Sequence, residues 1–229
     1  MNIYKIKSDL PGTEYAPTWN ISVGNTVWEE SAKIDTIKTW LLTNEERIKE
    51  TYAVSNVGDT GLGNDSISSR IGMYNLFDYT TELPELADLL KFMQKSYIDF
   101  VDSDHTTKQE LVLVCWVNIL REGQKIREHV HNASSMGYLS GNMHLDDYKT
   151  STIYRSPYEP FVPHSFDNVK GGFTIFPSYV PHTTTEYLDV TTPRVSIACD
   201  FRVPYTVSWN QPHQEFMNRE IFEQLISER

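Results

Sequence analysis

Three histidines stand out by spacing as well as by type. The stretch Gly123-Gln-Lys-Ile-Arg-Glu-His129-Val-His131 ends on two imidazoles one residue apart. On an extended strand side chains alternate with period two, so both rings face the same side and form half of a metal site. A third histidine closes Gly172-Phe-Thr-Ile-Phe-Pro-Ser-Tyr-Val-Pro-His182, which reads as a strand, a turn and a ligand that a β-sandwich can bring back against His129. An isolated His-x-His pair is more often solvent-facing or satisfied by hydrogen bonds, and His182 is what tilts the reading toward metal. Twelve residues further on, Pro193-Arg-Val-Ser196-Ile-Ala-Cys-Asp-Phe201 places Arg194 and Ser196 on one strand face and Val195 and Ile197 on the core-facing one. A guanidinium beside a hydroxyl suits a carboxylate, through bidentate charge-assisted hydrogen bonds. A surface salt bridge is the ordinary alternative for such an arginine.

These residues need a scaffold, and the composition supplies one. The 229 residues are 39% hydrophobic and 12% aromatic, which is enough for a packed core and excludes general disorder. The net charge of −11 repels phosphate backbones and argues against a nucleic-acid polymer as partner. Apolar runs such as Leu111–Val117 fall far short of the roughly 20 residues of a membrane helix, so no membrane partner is expected. Residues Met1–Lys5 show no apolar leader, and a cytoplasmic location follows as the expectation. Cys115 and Cys199 are too few for a disulfide framework or a zinc knuckle.

Periodicity predicts a helix over 27–50, carried by Trp28, Ile34, Ile37, Leu41 and Leu42, with Thr43–Glu46 capping a further helical stretch. Residues 53–72, rich in Gly, Asp, Asn and Ser, read as a long loop, and a second helix runs from Glu82 to Phe100. Short β-rich runs follow: Leu111–Leu120, Lys125–His131, Tyr138–Leu145, Ser151–Tyr154, Gly172–Phe176, His182–Tyr187 and Val195–Val203. Ser156–Lys170, with its prolines, reads as a mobile loop near the site mouth, and His213–Ile226 as a final helix. The expected class is α+β, mainly β: a sandwich or barrel with helices on one face. A single domain over 1–229 is expected, divided into helical support and loop (1–104), a β core (105–208) and a C-terminal helix (209–229).

The pattern resembles the iron(II)/2-oxoglutarate-dependent oxygenases, whose fold is a double-stranded β-helix, or jelly roll. Trp116-Val-Asn-Ile119, Gly123-Gln124 and His129 resemble the approach to the first ligand in prolyl-4-hydroxylase-like members. Leu139-Ser-Gly-Asn-Met-His-Leu145 resembles the strand that follows, and Phe176–His182 with Arg194–Ile197 the distal half. Thr60–Gly63, Asp65–Arg70 and Tyr74–Phe77 resemble the N-terminal signature of a group common in bacteriophages and marine bacteria, for which the location would be the host cytoplasm. The likeness spans most of 55–203. It implies iron(II) held at His129, His131 and His182, with 2-oxoglutarate contacted by Arg194, Ser196, His144 and Asn118. It further implies O2 as co-reactant, with succinate and CO2 released as an unactivated C–H bond is hydroxylated. Arg70 and Tyr179 are candidate substrate contacts, and a peptidyl side chain such as proline, or a small molecule, is the implied substrate.

One departure matters. The family's carboxylate ligand is replaced here by His131. Three readings are open: three histidines, two histidines with water, or a carboxylate brought from elsewhere, with Asp146 or Asp147 as candidates. Imidazole is a good iron(II) ligand, so the exchange does not exclude the chemistry. A three-histidine cupin dioxygenase without 2-oxoglutarate also fits Gly123, His129, His131, Gly171, Pro177 and His182, but it lacks the cupin's glutamate and leaves Arg194 without a purpose. A jelly-roll binding module without catalysis is the third reading. The Gly58–Gly63 stretch lacks a Gly-Lys-Ser/Thr ending, so a lid or substrate-contact loop is preferred to a nucleotide loop.

Overall fold

The computed structural model describes residues 1–55, 60–159, 161–208 and 210–227. Among the described residues, ten strands form two antiparallel sheets. In chain order they are β1 (Asn2–Lys7), β2 (Asn20–Val27), β3 (Leu111–Leu120), β4 (Leu139–His144), β5 (Ser151–Arg155), β6 (Pro163–Asp167), β7 (Gly172–Pro177), β8 (His182–Thr184), β9 (Arg194–Arg202) and β10 (Gln214–Met217). The larger sheet runs β1-β2-β7-β4-β9-β3-β10 and the smaller one β6-β5-β8. The non-sequential order is that of a jelly roll, mainly β as expected, with three α-helices packed on it.

Helices α1 (Ser31–Thr51) and α2 (Glu85–Ser103) bury stripes at helical spacing: Ile34, Ile37, Leu41 and Ile48 on α1, and Leu86, Leu89, Met93 and Tyr97 on α2. Both stripes join one core with the back of the larger sheet, in which Phe92 stacks on Trp28 and meets Phe173 edge-on. The α1 helix does not break at Thr43–Glu46. Glu45 lies mid-helix and buried, taking two hydrogen bonds (3.1 and 2.7 Å) from Arg121 at the end of β3. Strand β3 is therefore buried on both faces: helices cover one, and the cavity between the sheets lies at the other.

Several expected elements differ. Residues 125–131 are not a strand but an extended segment with isolated bridges at Gln124–Tyr187 and His129–His182. The Thr184 hydroxyl intercepts the Ile126 amide (3.0 Å), and the Thr183 hydroxyl takes the Ile126 carbonyl, so side chains interrupt the ladder. Within Ser156–Lys170 lies β6, an edge strand whose first residue is Pro163, a position where a ladder tolerates proline. The final segment begins as β10, which buries Phe216 and Met217 beside β3, and turns helical only at α3 (Arg219–Ser227). Gly171, at φ +73°, makes the turn into β7, where an added Cβ would sit 2.2 Å from the Trp28 carbonyl. No helix among the described residues is long and apolar enough to cross a membrane.

Because Phe173 is fully buried between α2 and the sheet, Phe173→Ala should cost about 3–5 kcal/mol, read as a lowered denaturant midpoint with little change in slope.

Candidate metal and anion site

The backbone brings the histidines together. His129 and His182 exchange both amide–carbonyl hydrogen bonds (3.1 and 3.0 Å), and the His131 amide donates to the Ser178 carbonyl (2.9 Å). The ring centroids of His129, His131 and His182 are 4.3–5.2 Å apart pairwise. One ring nitrogen from each lies within 4.8 Å of the others, a spacing that could hold a metal ion.

The tautomers are set as well. Nδ1 of His129 faces the Arg127 carbonyl (2.8 Å), Nδ1 of His182 faces the Val180 carbonyl (3.1 Å), and Nδ1 of His131 meets Asp200 Oδ1. A carbonyl only accepts, so Nδ1 carries the proton and Nε2 keeps a free lone pair. Burial, then the neighbouring His131, pushes His129 down to about 4. His182 is held well below the usual histidine range for the same reasons, with His129 adding to the effect. Both rings are thus neutral near pH 7, as metal ligands must be.

The histidines open onto a cavity of about 250 Å³ between the sheets. Strand β9 supplies its floor by alternation: Arg194, Ser196, Ala198, Asp200 and Arg202 line it, while Val195, Ile197, Cys199 and Phe201 join the helical core. Asn118 and His144 also line it, so the structure brings together all seven residues expected at the metal and cosubstrate positions. Arg194 is 1% exposed. Its Nη2 lies 3.4 Å from His144 Nδ1, and its Nε and Nη1 are buried with no hydrogen-bond partner among the described residues. Burial pushes this guanidinium down to about 10, so it remains a cation at neutral pH. Burial and the Arg194 charge hold His144 well below its ordinary value, leaving Nδ1 free to face the arginine. A buried cation with unspent N–H groups is costly to keep unless an anion arrives.

Two expected substrate contacts are not brought to this cavity. Arg70 is spent on the carbonyls of Lys49, Tyr52, Asn64 and Ser66, clamping the loop that follows α1. Tyr179 is part-exposed on the β7–β8 turn and does not line the cavity. The carboxylates considered for the third ligand position are engaged elsewhere. Asp146 pairs with Lys38, and Asp147 accepts the Lys170 amide (2.8 Å). The carboxylate at the site is Asp200, behind His131. Alternation on β9 was the signal for it, because Asp200 shares a face with Arg194 and Ser196. Of the Gly58–Gly63 loop, residues 58 and 59 lie outside the described residues. Thr60 lines the cavity, and its carbonyl accepts the Arg127 amide (3.0 Å) beside the histidine segment.

No protein-family model and no curated protein matches this chain. Solved structures do. A Pseudomonas putida prolyl-4-hydroxylase superposes with a TM-score of 0.53 at 12% identity, over 79% of this chain and 92% of its own. EvdO2 from Micromonospora carbonacea var. aurantiaca gives 0.53 at 12%, over 79% and 86%. The non-heme alpha-ketoglutarate-dependent carbocyclase SnoK, from nogalamycin biosynthesis, gives 0.52 at 9%, over 79% of each chain. The fold is the one used by iron(II)/2-oxoglutarate oxygenases, and the resemblance read from the sequence agrees with it.

The neutral histidines make the metal-free protein acid-sensitive. The unfolded chain protonates them below their ordinary value near 6.5, whereas folded His129 resists until about 4. Stability should therefore fall as pH drops from 6.5 toward 4. Denaturant midpoints that stay flat across that window would contradict the burial argument.

Proposed function

We propose that the protein is an iron(II)- and 2-oxoglutarate-dependent dioxygenase, a hydroxylase acting through one domain over 1–229. The observation that carries this reading is the pairing, in one cavity, of three metal-ready histidines with a buried arginine whose Nε and Nη1 lack partners. His129, His131 and His182 would hold iron through Nε2. Arg194 would bind the distal carboxylate of 2-oxoglutarate through Nε and Nη1, with the Ser196 hydroxyl beside it. His144, neutral, accepts from the third guanidinium nitrogen and so orients the fork. Asn118 adds an amide to the wall. Iron so held, with 2-oxoglutarate and O2, supplies oxidative decarboxylation to succinate and CO2 and the oxidising power to hydroxylate a C–H bond.

The surrounding side chains shelter that chemistry. Trp116, Phe176 and Tyr154 pack round the imidazoles, with Phe176 and Tyr154 centroids 4.7 and 5.8 Å from His182, and they limit water at the metal face. On the substrate side the cavity is lined by Thr60, Ile71, Ile126 and Val130, a mainly apolar mouth suited to a peptide side chain or a small molecule. A proline side chain is the leading candidate, supported by the likeness in fold to a prolyl-4-hydroxylase. The cupin reading gives Arg194 nothing to bind, and a non-catalytic module would have no reason to keep that guanidinium unpaired.

Anaerobically purified protein given iron(II) and 2-oxoglutarate should bind the acid and, on admitting O2, release succinate. Absence of 2-oxoglutarate binding would sink the reading; metal uptake without it would favour a cupin. Arg194→Met should abolish 2-oxoglutarate binding while the unliganded variant melts no lower than the parent, because an uncompensated buried charge is replaced by an apolar side chain. His131→Ala should weaken iron binding several-fold. Unchanged affinity would point to a two-histidine site.

A further inference from the structure

We propose that Asp200 is a positioning residue for the metal centre, holding His131 as the third ligand in place of the carboxylate that the resembled oxygenases coordinate directly. The inference rests on the three-histidine reading of the site. Asp200 sits on the cavity face of β9, buried, and each of its oxygens is committed. Oδ1 accepts from His131 Nδ1 and from the Ser140 hydroxyl (2.8 Å), and Oδ2 accepts from Arg202 Nη2 (2.7 Å). Arg202 has only donors to offer, so Oδ2 is an acceptor and the carboxylate is held at three points.

That arrangement has a direct consequence for His131. Unlike the other two histidines, its Nδ1 meets a carboxylate rather than a backbone carbonyl, and its amide donates to the Ser178 carbonyl. Without Asp200, no hydrogen bond from the described residues would choose between the ring's two tautomers or fix its rotation. With it, the proton stays on Nδ1 and Nε2 points to the space shared with His129 and His182. Partners of this kind, behind a ligating imidazole, orient the ring and raise its basicity. Strand β9 thus carries both ends of the site, the anion-binding Arg194 and the ligand-holding Asp200, on one face and in one register. Ser140 on β4 and Arg202 on β9 keep the carboxylate from swinging into the metal position itself.

Cobalt(II) is a suitable probe, since its visible spectrum reports ligand number and geometry without turnover. The parent protein, Asp200→Asn and Asp200→Ala would be titrated with cobalt(II), alone and in a His131→Ala background. Asp200→Asn keeps a side-chain oxygen for Nδ1 and serves if the alanine variant does not fold. The proposal predicts cobalt affinity weakened several-fold in both Asp200 variants, less for Asp200→Asn, and for Asp200→Ala by no more than His131→Ala itself costs, both with altered spectra. It also predicts no further loss from Asp200→Ala once His131 is alanine. Parent-like affinity and spectrum in both Asp200 variants would overturn it, as would an equal loss in the His131→Ala background. Failure of the parent itself to take up cobalt would instead count against the three-histidine site.

Discussion

Strand β9 is where this molecule has least freedom. Its odd-numbered residues Val195, Ile197, Cys199 and Phe201 belong to the helical core, and its even-numbered residues from Arg194 to Arg202 line the cavity. A slip of one residue would drive two arginines and an aspartate into the helical core and turn the apolar set into the cavity. The pairing that prevents this is continuous: β9 is matched to β3 from Arg194–Leu120 to Arg202–Val112, and to β4 from Ser196–His144 to Phe201–Leu139. Helices α1 and α2 contribute by burying the other face of that layer. The site is in this sense a by-product of register.

The charges in the cavity are arranged along that strand. Among the described residues Arg194 is the cation without a carboxylate partner and Asp200 the anion with three donors, while His129 and His182 are held neutral chiefly by burial. Asp200 lies well below the ordinary carboxylate range despite burial, because His131 and Arg202 offset the cost of desolvation. A chain of net charge −11 can therefore present a locally cationic pocket to an acidic ligand. Composition describes the shell; the pocket is a matter of individual side chains.

Much of this was legible in the sequence where a period was strong. The α2 stripe and the alternation Arg194-Val-Ser-Ile were readable as repeats, and β3, buried on both faces, as a near-continuous ten-residue apolar run. The short and edge elements were not. Strands β1 and β6 are largely solvent-facing and polar, β2 mixes buried Ile21 and Val23 with Ser22, Gly24 and Asn25, and β10 is four residues long, so none carries a pattern that local reasoning can separate from loop. The three histidines were found by spacing, although the segment bearing His129 and His131 is bridged rather than paired as a strand. Asp200 lies 69 residues from His131, so proximity in sequence points to Asp146 and Asp147 instead, and it is the fold of the sheet that brings Asp200 to the site. Arg70 illustrates the opposite error: an arginine near a glycine-rich loop suggests a ligand, yet its fork is filled by backbone carbonyls.

The central claim is that three imidazoles, and no directly bound protein carboxylate, hold iron(II) in this cavity. X-ray absorption at the iron edge, on protein loaded anaerobically with one equivalent of iron(II), addresses it most directly. The account predicts a scattering pattern of three imidazoles with the remaining positions filled by oxygen, and two of those oxygens exchanged when 2-oxoglutarate is added. A first shell with fewer than three imidazoles, or with a protein carboxylate among the ligands, would contradict it.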